Sequence, residues 1–149
     1  MTTPDVVSAV VAERPGPLTD VLRLHTATPV DDPLGEGEVL VRMLASTVNP
    51  SDAVTVSGAY GSRTVFPFEG VGVIERIGPG VPRAATGRRV LPLGTAGNWQ
   101  EIKRTDHSWC IAVPDDLDDE TACFAYINPL TALCMVQRYC TRVTKHVLI

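Results

Sequence analysis

The chain has 149 residues, of which 44% are hydrophobic and 20% are charged, and its formal net charge at pH 7 is −4. This hydrophobic content is enough to bury a core, so the chain need be neither disordered nor stabilised by a structural metal. The 13 Lys and Arg residues are dispersed along the chain, which argues against a nucleic acid or an anionic membrane as a partner.

No apolar run approaches the roughly 20 residues that span a bilayer. The first residues include Asp5 and Glu13 and lack a basic region followed by an apolar one, as a targeting peptide would have. We therefore predict a cytoplasmic protein without a membrane span.

The four cysteines are Cys110, Cys123, Cys134 and Cys140. They form no Cys-x-x-Cys pair and show no Cys/His spacing typical of a tetrahedral zinc site. We expect reduced thiols, three of which lie in apolar surroundings and are predicted to be buried as small hydrophobic side chains.

Most of the chain alternates between β-branched runs and Gly/Pro turns, which predicts a mainly β barrel or sandwich. The predicted strands are Ser8–Ala12, Val21–His25, Glu38–Thr47, Gly70–Ile77 and Arg88–Leu91, with two shorter ones near Trp99–Arg104 and Ser108–Val113.

The last third of the chain changes to a helical pattern. The acidic run Asp115–Glu120 suits the start of a short helix that reaches Ala125, because carboxylates cap free N–H groups and oppose the helix dipole. A second helix is predicted over Leu130–Tyr139, directly after Pro129. The run Lys145–Ile149 predicts a strand.

Several segments match one family in the right order. Glu36–Arg42 resembles the "GEVLV" strand of medium-chain dehydrogenase/reductases, and Gly70–Gly78 resembles their "G-V-V-x-x-V-G" strand. The set is similar to the zinc-independent 2-enoyl thioester reductases and somewhat less similar to the quinone reductases. It covers nearly the whole chain, with further matches at Asn49–Asp52, Gly58–Tyr60, Gly94–Glu101 and Asn128–Ala132.

The resemblance implies a GroES-like substrate-side domain over residues 1–126 and, over residues 127–149, the linking helix and first strand of a nucleotide-binding domain. The glycine-rich turn that follows this strand in Rossmann domains, and holds the pyrophosphate, is not in the sequence. We expect the chain to be a truncated portion that is inactive alone and associates as a homo-oligomer.

The resemblance also argues against zinc. In the zinc alcohol dehydrogenases of the superfamily, a cysteine stands where Asn49 does, and a histidine stands where Phe68 precedes Glu69. An amide and a phenyl ring cannot replace thiolate or imidazole ligands. We therefore predict that the chain holds no zinc.

The implied reaction is the NADPH-dependent reduction of the activated C=C bond of an enoyl-CoA or enoyl-ACP. The cofactor supplies the hydride, which leaves the enolate oxygen and the α-carbon proton to donors on the protein. Tyr60 matches the proton-donating tyrosine of the family and is the predicted catalytic residue.

Three other residues match family positions. Asn49 is predicted to contact the nicotinamide carboxamide, its ribose or a substrate carbonyl. Thr131 resembles the threonine that the family directs at the nicotinamide, and Trp99 matches an aromatic residue that borders the substrate cavity. Glu69 is interpreted either as a buried carboxylate with an arginine partner or as a surface residue.

Each prediction has an alternative. Asn49 before proline is common in turns, Thr131 can bond to its own helix, and Trp99 and Tyr60 can simply pack. At the level of function, the alternatives are a quinone reductase and a non-catalytic GroES-like binding or oligomerisation module.

Overall fold

The computed structural model describes residues 6–27, 32–60, 69–94 and 97–146. Within these ranges the strands are β1 (Val7–Ala12), β2 (Leu22–Ala27), β3 (Glu38–Ser46), β4 (Gly70–Ile77), β5 (Arg89–Pro92), β6 (Ile102–Asp106) and β7 (Cys110–Ala112). The helices are α1 (Leu18–Val21), α2 (Pro50–Val56), α3 (Asp119–Ala122) and α4 (Ile127–Tyr139), with 3₁₀ turns at Arg83–Ala85 and His107–Trp109.

Five strands form one antiparallel sheet in the order β6-β3-β4-β5-β7, and β1 pairs with β2 in a separate hairpin. The hairpin is tied to the larger sheet by a bridge between Ala9 and Gln100 and by the Val10 N–H, which donates to the Trp99 carbonyl at 2.7 Å. The predicted mainly β architecture with short helices is therefore confirmed.

The core consists of three apolar clusters that follow from strand alternation, because every second side chain of a strand points to the same face. The first lies beneath β3 and β4 and the second beneath the β5 end of the sheet, against α3. The third joins β1 to α1 and α2. Their buried members are Val39, Val41, Ile74, Val81, Ala85 and Val90; Val71, Leu91, Val113, Ala122 and Cys123; and Ala12, Val21 and Val56.

The β3–β4 pair needs a glycine at one position. A Cβ atom on Gly72 would lie 2.5 Å from the Arg42 carbonyl oxygen and 2.5 Å from Val41 Cγ1. Side chains of ordinary proteins do not approach a neighbouring backbone this closely, so only glycine lets the two strands pair here.

Two predicted strands begin later than expected. Val21 ends helix α1, and β2 starts at Leu22. The segment before β6 crosses to the hairpin, where the Glu101 N–H donates to the Ser8 carbonyl at 2.9 Å. The strand predicted over Trp99–Arg104 therefore begins only at Ile102.

The helices also differ from the sequence prediction. Helix α2 was interpreted as a turn at Asn49–Pro50, but proline occupies its first turn and the helix continues to Val56. Helix α3 ends at Ala122, before the predicted Ala125, and α4 begins at Ile127, three residues before the prediction. Of the predicted last strand, Lys145–Ile149, the first two residues are not in a strand, and residues 147–149 lie outside the described residues.

The four thiols are free, as predicted, but the prediction of their burial agrees with the structure only for Cys123. Cys123 is buried, whereas Cys134 is exposed on α4 and Cys140 is intermediate. The prediction of three buried thiols was therefore wrong, because none of the residues of α4 is buried. In the part of the chain that the structure describes, we find no helix of the length and apolarity that a membrane crossing requires.

Candidate functional site

Three polar side chains are buried where β3 ends. Thr47 is 1% exposed, Asp52 is 3% exposed and Glu69 is 1% exposed. They come from the end of β3, the first turn of α2 and the residue before β4. Buried polar groups need partners to offset the loss of water, so their hydrogen bonds define this cluster.

The side chain of Asn49 lies at the centre of these hydrogen bonds. Its Nδ2 donates to Thr47 Oγ1 at 3.0 Å and to Glu69 Oε2 at 3.0 Å. Both hydrogens of the carboxamide are thus used inside the chain. Asn49 also precedes α2 and occupies, with Asp52, the positions of a capping box.

Glu69 joins this cluster to the last helix. Its Oε1 accepts a hydrogen bond from the backbone N–H of Ile127 at 2.7 Å, at the first residue of α4. The interpretation of Glu69 as a buried carboxylate is therefore correct, while its hydrogen-bond partners are an amide and a backbone N–H. The surface alternative was wrong.

Asp52 has a structural role in the same cluster. Its Oδ2 accepts from the Asn49 N–H at 2.7 Å. Burial raises the pKa of the Asp52 carboxyl; the hydrogen bond from Asn49 opposes this shift and the nearby charge of Glu69 adds to it.

Trp99 also contacts the end of β3. Its Nε1 donates to the Thr47 carbonyl at 2.9 Å. Its ring borders a largely apolar cleft of about 590 Å³ between the hairpin and β3, which is further lined by Leu18, Leu22, Leu24, Met43, Leu44 and Val48, among others. Asn49 and Trp99 are therefore both fixed to Thr47.

Tyr60 and Thr131 lie outside this group of contacts. Tyr60 follows α2, beyond Gly58 with its φ of +88°, and is 64% exposed. Thr131 is exposed on α4, one turn after Ile127. Within the described residues, neither hydroxyl takes part in a hydrogen bond, so both are available to a ligand.

A buried lysine was not anticipated from the sequence. The Lys103 side chain is 0% exposed, and its Nζ donates to the Pro92 carbonyl at 2.8 Å and to Asn98 Oδ1 at 2.7 Å. Burial lowers the pKa of Lys103 to about 8, partly offset by Cys110. In the pairing of β6 with β3, Lys103 stands opposite the buried Val41, and its sequence neighbours gave no sign of this.

The zinc prediction concerns Asn49 and Phe68. Phe68 lies outside the described residues, and Asn49 is engaged through its amide as described above. Across residues 6–27, 32–60, 69–94 and 97–146, no three His, Cys, Asp or Glu side chains converge to hold a metal ion. Absence of zinc stays a prediction, for which metal analysis of the purified chain is expected to find clearly less than one zinc per chain.

Residues 35–117 match the family model described as the alcohol dehydrogenase GroES-like domain. This match covers more than half of the chain, and it spans β3 to β7 with the polar cluster between them. The chain belongs to the alcohol dehydrogenase GroES-like domain family.

Three similar proteins each match most of this chain. The mitochondrial enoyl-[acyl-carrier-protein] reductase of Arabidopsis thaliana is 32% identical over 136 residues, which cover 88% of this chain and 36% of the relative. A structure assigned as an NADPH:quinone reductase from Bacillus thuringiensis is 38% identical, with a TM-score of 0.82 over 89% of this chain and 41% of that chain.

The third relative is the mitochondrial 2-enoyl thioester reductase heterodimer of Candida tropicalis, at 25% identity and a TM-score of 0.79 over 91% of this chain and 44% of that chain. One of its subunits has also been solved with NADP and crotonyl-CoA. These relatives are oxidoreductases, and this chain spans about two fifths of their length. Because several are mitochondrial, the predicted cytoplasmic location is not confirmed.

Proposed function

We propose that this chain forms the substrate-side part of an NADPH-dependent, zinc-independent oxidoreductase that reduces the C=C bond of a 2-enoyl thioester. The observation that carries the proposal is the polar cluster at the end of β3. There Asn49 is held by Thr47 and Glu69, at the position where the resemblance implies a cysteine ligand in the zinc alcohol dehydrogenases. An amide nitrogen that donates hydrogen bonds is not a zinc ligand, and a carboxamide suits contact with a nicotinamide.

The proposed cofactor and substrate are of the kinds present in the solved complex of the Candida enzyme. When bound, NADPH supplies the hydride that no side chain can donate. The exposed Tyr60 hydroxyl is proposed as the donor that stabilises the developing enolate oxygen or protonates the α-carbon. Tyrosine is suited to this task because it donates a hydrogen bond without carrying a charge.

The other predicted residues are proposed to contact the cofactor or the substrate. Asn49 and the exposed Thr131 are proposed to contact the nicotinamide side of the cofactor. Trp99 is proposed to border the acyl part of the substrate, supported by its place in the wall of the apolar cleft. In this proposal residues 1–126 form the substrate-side domain and residues 127–149 lead towards the nucleotide-binding one.

A quinone reductase is the second candidate. It is favoured by the likeness to the Bacillus thuringiensis protein, which has the higher identity of the two solved structures compared above. The two candidates share the hydride donor and differ in the acceptor, since a quinone is a compact ring and a thioester carries a chain.

A chimera tests the proposal and separates the candidates. Residues 1–149 replace the matching segment of the Bacillus thuringiensis protein, and NADPH oxidation is measured with crotonyl-CoA and with a quinone. The unmodified Bacillus protein is the control, so that thioester reduction gained by the chimera is attributable to this chain. We expect crotonyl-CoA to be reduced faster than the quinone.

Two results would count against the proposal. A folded chimera that binds NADPH but reduces only the quinone would favour the second candidate. A folded, NADPH-binding chimera that reduces neither would favour the non-catalytic module. Folding and NADPH binding are checked first by circular dichroism and by fluorescence of the bound cofactor.

A further inference from the structure

Glu69 offers two acceptor oxygens, and both face donors. Oε2 accepts from the Asn49 carboxamide at 3.0 Å, and Oε1 accepts from the Ile127 N–H at 2.7 Å. The carboxylate is 1% exposed, so water does not substitute for either partner. A side chain with only one acceptor cannot serve both partners.

This arrangement fixes which way the Asn49 carboxamide faces. Rotating the amide by half a turn would set its oxygen against the buried Glu69 carboxylate and remove the donor to Thr47 Oγ1. Two acceptors facing each other in a buried place are unfavourable, since each loses its hydrogen bond. The amide nitrogen is therefore held inward.

We infer that Glu69 is a positioning residue that locks the Asn49 carboxamide, so that Asn49 presents only its oxygen to a ligand. A carboxamide oxygen has two lone pairs, so one remains for a ligand even where the first turn of α2 engages the other. The identity of that ligand rests on the proposed function. The fixed orientation of the Asn49 carboxamide, called the lock below, rests only on the hydrogen bonds of this chain.

The lock limits the ligand groups that Asn49 can bind to hydrogen-bond donors. An acceptor binds a donor such as the N–H of the nicotinamide carboxamide or a ribose hydroxyl. It cannot donate to a substrate carbonyl or to the enolate oxygen formed from it. Stabilisation of that oxygen then falls to other donors, among which Tyr60 is the one proposed above.

The same carboxylate connects two elements of the proposed cofactor site. Ile127 begins α4, and Thr131 lies one turn further along it. None of the residues of α4 is buried, so the helix has little apolar packing on the described residues to hold its first turn. Glu69 therefore fixes the position of Asn49 relative to the first turn of α4, the helix that carries Thr131.

Nuclear magnetic resonance of the 149-residue chain tests the lock without any cofactor. We expect both Asn49 carboxamide hydrogens and the Ile127 amide to exchange slowly with solvent, compared with the carboxamide of the exposed Asn128. Glu69→Gln keeps the shape but removes one acceptor. It is expected to speed exchange at Asn49 or at Ile127 by roughly tenfold or more, as the loss of one buried hydrogen bond implies.

Two further variants separate this lock from a general effect of buried charge. Asp52→Asn removes the neighbouring carboxylate but keeps an acceptor for the Asn49 N–H, so exchange at Ile127 should stay slow. In the double variant with Asn49→Asp and Glu69→Gln, the new glutamine donates to the new aspartate and accepts from Ile127. Slow exchange at Ile127 should therefore return.

The inference is overturned if Glu69→Gln leaves both exchange rates unchanged, or if Asp52→Asn accelerates them equally. If Glu69→Gln does not fold, the unmodified chain still decides: Asn49 hydrogens that exchange as fast as those of Asn128 contradict the lock. Because no substrate or cofactor is added, a failure here leaves the proposed reductase function standing, and the reverse also holds.

Discussion

Lys103 is a cation whose side chain is entirely enclosed, and its hydrogen bonds include those to the Pro92 carbonyl and Asn98 Oδ1. Removing an ammonium from water disfavours its charged form. Burial accordingly lowers the pKa of Lys103 to about 8, from an ordinary value of 10.5. The protein therefore bears a cost for this ammonium at neutral pH.

The cost predicts a pH-dependent stability. Between about pH 8 and pH 10.5 the unfolded chain binds the Lys103 proton more tightly than the folded chain, so stability rises with pH in this window. Relative to Lys103→Met, the unmodified chain should gain on the order of 2 kcal/mol between about pH 7 and pH 10. Cys110 acts in the opposite direction, because burial raises the pKa of its thiol to about 11 and the unfolded chain loses this proton first. The comparison with Lys103→Met removes this contribution, since both proteins keep Cys110.

Urea unfolding of both proteins at the two pH values measures this difference. The slope with pH is compared, since the methionine variant also leaves the Pro92 and Asn98 oxygens without their donor. Parallel pH dependences in the two proteins would show that Lys103 is not the titrating group.

The β3–β4 pair is the element on which the site depends, because Thr47 and Asn49 follow β3 and Glu69 precedes β4. A shift of one residue in the pairing would send their side chains to the opposite face. Gly72, which faces the β3 backbone with no room for a Cβ, fixes this register.

Replacing Gly72 by alanine should destabilise the chain by about 2 kcal/mol or more, because the new methyl meets backbone atoms that cannot move aside. Gly87→Ala is the matched control. That position has a φ of +82° but nothing within 4 Å of the added Cβ, so its cost should be about 1 kcal/mol of backbone strain. Urea unfolding decides, and equal losses in the two variants would contradict the packing argument.

Strands were largely predictable because alternation is a local signal, and β4 was predicted to the residue. Helix α2 was missed because Asn49–Pro50 suits a turn as well as a helix start. In the structure the Asp52 carboxylate accepts from the Asn49 N–H in a capping box, and the chain continues as a helix. Asn49 and Trp99 were predicted from family position, whereas the burial of Glu69 and Lys103 follows from how the strands pair and pack. Pairing and packing of this kind cannot be inferred from a single sequence.

At the scale of the whole molecule, α4 presents an apolar surface without cover. Leu130, Leu133, Met135, Val136 and Tyr139 are each 45% exposed or more. Several exposed apolar side chains on one helix favour association. This is consistent with the expectation of a homo-oligomer, which stays a prediction.

We expect the chain to form a dimer or larger assembly through residues after about Leu130, or else to be disordered there. Leu133→Glu should weaken association by roughly tenfold or more, because it places a charge within the apolar surface. Leu24→Glu, at a leucine of β2 that is 69% exposed against 52% for Leu133, should not. Sedimentation across a dilution series measures both. A strictly monomeric chain with strongly protected α4 amides would contradict this prediction.

The central claim is that Tyr60 of this chain supplies the donor for thioester reduction, and the chimera tests it most directly. Tyr60→Phe should lower kcat with crotonyl-CoA by roughly a hundredfold or more while NADPH binding is unchanged, since only the hydroxyl is removed. Tyr139→Phe, an exposed tyrosine outside the proposed site, should retain full activity. Near-normal turnover of the Tyr60→Phe chimera would contradict the account.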